Sequence, residues 1–164
     1  MLALRYVYIL ALVVWLGGMI VLGAVVAPTT FQVLETREPI VGRVLAGAVF
    51  GTALGRFQYV AYACGGLVLV TLAVMAVLGP RPAGFAMRSA IATVMLGIAL
   101  YSGFVVFRNI DVLQRDIGAS VSPSALPTSD ARRMRFDHLH QLSTRLMMVN
   151  VFGALVLLYW QARE

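Results

Sequence analysis

The sequence predicts an all-α fold: a polytopic membrane four-helix bundle, with helices 3 and 4 extended beyond the bilayer and an extra interfacial half-helix before helix 2. Three observations predict it. Hydrophobic residues make up 60% of the 164-residue chain and charged residues only 12%, whereas a soluble domain carries about 25% charged residues. Mean hydropathy is +0.87. Apolar runs long enough to cross a hydrocarbon core of about 30 Å recur four times, separated by short polar or Pro/Gly connections. The length suits one membrane domain over residues 1–164.

The first span covers about residues 6–27. It is longer than a signal-peptide core, begins after Arg5, carries Tyr6, Tyr8 and Trp15, and is expected to end at Pro28. A polar turn with Glu35, Arg37, Glu38 and Pro39 follows. Residues 40–56 hold too short an uncharged run between Arg43 and Arg56 to cross a membrane, which predicts an interfacial half-helix leading into the second span, about 57–78. Gly47, Gly51 and Gly55 recur at i, i+4 and i+8 along it, a small-residue stripe that admits a close helix. Gly17 and Gly18 offer a similar packing surface on the first span.

Gly79-Pro80-Arg81-Pro82 predicts a tight turn. The third span, about 89–107, runs on as RNIDVLQRDI, where Ile110, Leu113 and Ile117 keep one helical face. Gly118 stops that helix, and residues 118–128 form a Ser/Pro loop. Thr128 or Ser129 is the expected cap of the last helix. That helix reaches about Gln161 and crosses the membrane over about 141–160.

The thirteen basic residues are all arginine, and pI is about 10.2. They sit at the ends of apolar runs, where arginine anchors to headgroups, and no basic stripe interleaved with aromatics points to nucleic acid. Cys64 stands alone in an apolar run, which excludes an intrachain disulfide and a CxxC metal site. Four spans place both termini on one side. Arg5, Arg81, Arg88 and Arg163 fall on that side and nine arginines on the other. The positive-inside rule then puts the hairpin tip in the cytoplasm and the termini outside.

The stretch with most chemistry is Phe136 to Asn150, FDHLHQLSTRLMMVN, which holds both histidines. At about 100° per residue, Phe136, His140, Ser143, Met147 and Asn150 share a face, while His138 and Arg145 lie opposite. The two histidines therefore diverge, and no metal site is predicted. His140, Ser143 and Asn150 form a polar stripe, and Arg56 and Gln58 at the mouth of the second span lie at similar depth. Polar groups within a membrane are functional candidates. Fixing the bundle by hydrogen bonds is the alternative role.

LALVVWLGGMIVLGAVVAPTTFQVL at the start and FDHLHQLSTRLMMVNVFGALVLLY at the end resemble the transmembrane protein 205-like family, four-helix membrane proteins of unknown function. Trp15-Leu16-Gly17-Gly18, Ala27-Pro28 with Phe31, and Phe136, Leu139-His140 and Ser143-Thr144-Arg145 carry the resemblance. It implies fold and location, in a bacterial inner membrane, and no activity. It also implies histidine at the position of Gln58, so this chain has one imidazole fewer near His140. The WLGG span is more distantly similar to copper-resistance D-type bundles and to membrane protoporphyrinogen oxidases, which carry histidine where this chain has Tyr6 and Tyr8.

Three functions are weighed. The favoured one is a non-catalytic accessory or structural subunit of a larger membrane assembly, of respiratory or photosynthetic type, with lipid, other membrane subunits or a second copy as partners. It requires no cofactor and is compatible with lipid or tetrapyrrole contact. The alternative is a small transport or export protein using the polar stripe. The third is a haem-binding redox protein with His140 as axial ligand.

Overall fold

The computed structural model describes residues 2–39, 41–79, 84–118 and 121–163. These fold into four long helical rods of 36, 37, 33 and 32 residues, each apolar enough to cross a membrane. No strand occurs among the described residues. The chain is an all-α, integral membrane helix bundle.

The first rod is α1 (Leu2–Val21), a π turn (Leu22–Val26) and α2 (Ala27–Arg37). The expected stop at Pro28 does not occur. A proline ring clashes with the carbonyl four residues earlier, here that of Ala24, and the wider π turn falls on that residue. The second rod is α3 (Gly42–Leu78), one unbroken helix. The half-helix expected over 40–56 is thus the leading part of α3 rather than a separate element (Ile40 lies outside the described residues). No proline interrupts the run, and Arg56 is exposed on its outer surface, so its charge does not break the helix.

The third rod joins α4 (Phe85–Tyr101), a second π turn (Ser102–Phe107) and α5 (Arg108–Ile117). The expected extension beyond the third span is present, with Leu113 and Ile117 buried and Ile110 half-buried. The fourth rod is α6 (Ala131–Ala162). Its cap is Asp130, not Thr128 or Ser129. Asp130 has extended backbone, and its carboxylate accepts the Arg132 N–H at 2.8 Å. The hydrogen bonds and charge of Arg132 hold that carboxyl below its ordinary range. The turn around Pro80 lies outside the described residues, and the Ser/Pro segment includes a 3₁₀ turn at Pro123–Ala125.

The rods alternate in direction and pack as a ring: α1 against α3, α3 against α4, α4 against α6, and α6 against α1. Lipid tails are as apolar as leucine, so such helices associate by close packing rather than by expulsion of water. Small buried residues provide that closeness: Ala11, Ala61, Gly65, Ala92, Ala99 and Ala154. Trp15 lies over Gly65, and Met95 over Gly153. The buried face of α4 and its π turn is Arg88, Ala92, Met95, Ala99, Ser102 and Val106. This alternating spacing of three and four keeps one seam turned to the bundle axis.

About 20 helical residues cross a bilayer core, so every rod is longer than the membrane requires. Exposed Tyr6 and Tyr159 mark one interface, and the surplus length falls at the opposite end. There the rods leave the ring as two arms, α2 packed on α3 and α5 packed on α6. The first arm closes tightly: a Cβ at Gly42 would overlap the backbone carbonyl of Leu34. Gly42→Val is therefore expected to pry α2 from α3 and cost about 2 kcal/mol. Faster amide exchange across 27–56, with protection of 85–107 unchanged, is the expected readout.

Candidate functional site

Where the two arms diverge, the four rods line a partly open cavity of about 50 Å³. Trp15, Met19 and Leu22 line it from the first rod, and Leu54, Phe57, Gln58 and Ala61 from α3. The third rod contributes Ala99, Ser102 and Phe107, and α6 contributes Ser143, Met147 and Asn150. Both π turns border it, through Leu22 and through Ser102 and Phe107. Such turns recur at functional sites because they re-aim side chains and loosen the backbone ladder.

Each polar group arrives by a different local route. Ser143, Met147 and Asn150 recur at i, i+4 and i+7 on α6, and Ala154 and Leu157 continue the same face into the core. Ser102 opens the second π turn and is 7% exposed. Gln58 is half-buried on α3, beside Gly103, whose missing side chain leaves room for the hydroxyl of Tyr62. Tyr62 stacks on Phe104 at 5.8 Å between ring centroids, which holds α3 against the π turn.

Asn150 is the most deeply set of the four. It is 5% exposed, and its Oδ1 has no hydrogen-bond partner among the described residues. A buried amide oxygen without a donor costs about 1–3 kcal/mol, a cost that the packing of α6 on the other rods offsets. The volume suffices for a few waters. Among the described residues, no lining side chain titrates near neutral pH. The groups described there can bind and orient through hydrogen bonds.

Of the polar residues singled out from the sequence, Gln58, Ser143 and Asn150 meet in this cavity. His140 and Arg56 do not line it. His140 is exposed, one turn outside Ser143, with its ring stacked on Phe136 at 6.2 Å. Arg56 is exposed at the outer surface of α3. His138 and Arg145 are exposed as well, and no group of three His, Cys, Asp or Glu comes together among the described residues. Of the glycines, Gly18 lies under the ring of Phe57, while a Cβ at Gly17, Gly47, Gly51 or Gly55 would meet nothing within 4 Å.

Sequence reasoning missed Ser102, Trp15 and Met19 as cavity residues, and it missed Arg88. Arg88 is 1% exposed at the opposite end of the bundle. Its Nη1 donates to Gln161 Oε1 at 3.2 Å, and its guanidinium lies 5.9 Å from the Trp160 ring centre. The signal was the three-and-four spacing: Arg88 begins the buried seam of α4, and Gln161 ends that of α6.

Among known protein families, residues 10–118 match one described as Domain of unknown function (DUF4149). No curated protein and no solved structure matches the chain.

Proposed function

The chain belongs to the DUF4149 family, the match covering two-thirds of its length, and on that premise we propose that it is a non-catalytic membrane protein that holds a small uncharged ligand between its rods. The observation that carries this reading is the cavity wall itself, where Gln58, Ser102, Ser143 and the buried Asn150 bring uncharged polar groups from three rods together. It joins the accessory role with the polar stripe of α6, the stripe serving as a binding wall. Transport along the stripe would use the same cavity as its waiting point.

Native mass spectrometry of the chain extracted in mild detergent tests it. The expected result is a small molecule bound in stoichiometric amount and lost on filling the cavity with Ser143→Leu or Ser102→Leu. A bare chain in several detergents would overturn the proposal.

A second reading, docking to partner helices in a larger assembly or to a second copy, is favoured by the open glycine stripe of α3. Leu45 and Val49 beside it are 44% and 53% exposed. On that reading Gly51→Leu releases the chain from a complex that otherwise survives extraction. A tetrapyrrole held by His140 finds less support, because that imidazole lies outside the cavity. The excess of arginines at the arm end supports an orientation with both arms in the cytoplasm, and placement in a bacterial inner membrane, like the resemblance to transmembrane protein 205-like proteins, belongs to the same proposal.

A further inference from the structure

We infer that the outer face of α3 and the third rod binds an anionic phospholipid, at a site separate from the cavity. Its floor is an aromatic platform. Tyr62 of α3 stacks on Phe104 of the third rod at 5.8 Å between ring centroids and 9° between planes. Tyr59 meets Tyr62 edge-on at 6.2 Å. The platform faces outward: Tyr59 is 74% exposed and Phe104 65%. Depth then says what it faces. Tyr59 lies roughly 20 helical residues from the end of α3 at Leu78, and Phe104 roughly 20 from the start of α4 at Phe85. Each distance is about one bilayer core, so the rings stand where headgroups meet tails, the level that favours tyrosine.

Charge selects the headgroup. Arg56 precedes Tyr59 by one turn and Arg108 follows Phe104 by one turn, and both are exposed. Because the two rods run in opposite directions, both arginines lie on the arm side of the rings, about 4–6 Å further out along the helix axes. The ion pairs at this end, Arg43 with Glu35, Arg132 with Asp130 and Arg133 with Asp137, engage other arginines. Neither Arg56 nor Arg108 joins an ion pair among the described residues. Two unpaired guanidinium groups above an aromatic floor suit a phosphate whose acyl carbons descend onto the rings, since arginine donates in pairs to phosphate oxygens. A choline headgroup would set its own positive charge beside the same arginines, which favours a lipid with net negative charge. Toward the membrane centre, a Cβ at Gly66 or Gly97 would meet nothing within 4 Å, so the seam below the rings stays open to an acyl chain.

Native mass spectrometry tests the site, with the full chain in mild detergent titrated with dioleoylphosphatidylglycerol or with dioleoylphosphatidylcholine. The expected result is one phosphatidylglycerol per chain, bound roughly fivefold or more tighter than phosphatidylcholine. Arg108→Gln and Tyr59→Leu, both at exposed positions, each weaken phosphatidylglycerol binding severalfold. Arg145→Gln, at an exposed arginine of α6 across the ring from α3, leaves it as in the parent chain. Ser143→Leu, which fills the cavity, also leaves it unchanged, so the two sites are read apart. Equal affinity for the two lipids overturns the inference, as does parental affinity in both Arg108→Gln and Tyr59→Leu. An equal loss in Arg145→Gln overturns it too and assigns the binding to a general belt of interface arginines. Displacement of the lipid by glycerol 3-phosphate at equal concentration overturns the lipid as occupant and assigns the arginines to a soluble anion.

Discussion

Replacing Arg88 with alanine is expected to lower the stability of the bundle by about 3 kcal/mol, through the lost packing of a fully buried side chain and the loss of the donor to Gln161. For a chain of this size that is a fall of about 10 °C in melting temperature, read by circular dichroism in mild detergent. The position makes the point sharper. Arg88 stands in the first turn of α4, where the helix dipole disfavours a cation, so its burial there is secured by tertiary contacts alone. Arg88→Met keeps much of the volume and is expected to recover about half of the loss. Emission from Trp160 should shift in both variants, since the guanidinium beside its ring is gone. A melting point unchanged in Arg88→Ala would refute the anchoring role.

Trp15→Ala should be costlier still, at about 4 kcal/mol. Trp15 is 1% exposed, covers Gly65 of α3, and forms part of the cavity wall. Its loss enlarges the cavity and removes the contact that spans from the first rod to the second. Trp15→Phe leaves most of the apolar wall and is expected to cost about 1–2 kcal/mol. The two effects separate by measurement: thermal melting follows the packing, and native mass spectrometry follows the ligand. If Trp15→Ala melted like the parent chain, the ring would be a lining group only, and the packing of α1 on α3 would rest on the alanines and glycines.

Much of the site was legible along the chain. The helical phase of Phe136 to Asn150 separates the two histidines and aligns Ser143 with Asn150, and helical order makes that phase reliable over the whole of α6. Depth along the chain pairs Gln58 with that stripe. His140 and Arg56 failed to join them because equal depth is not equal azimuth. A residue at the right height on a rod still faces outward unless its angular position meets the axis. The open glycine stripe teaches the same lesson, since Gly47, Gly51 and Gly55 permit a close helix without requiring one.

By itself the sequence determined that this is a four-span, all-α membrane protein with arms at one end, because apolar length and breaker residues are local properties of the chain. It also determined one polar face on the last helix, since periodicity needs no neighbour. Only the tertiary structure decided that Pro28 and Arg56 sit within continuous rods. It also decided that two π turns border one cavity, that Asn150 is buried beside it, and that an arginine is sealed at the far end. Those outcomes depend on which azimuths of different helices meet, and packing in lipid, where no expulsion of water sorts inside from outside, leaves only a faint trace of that in any single helix.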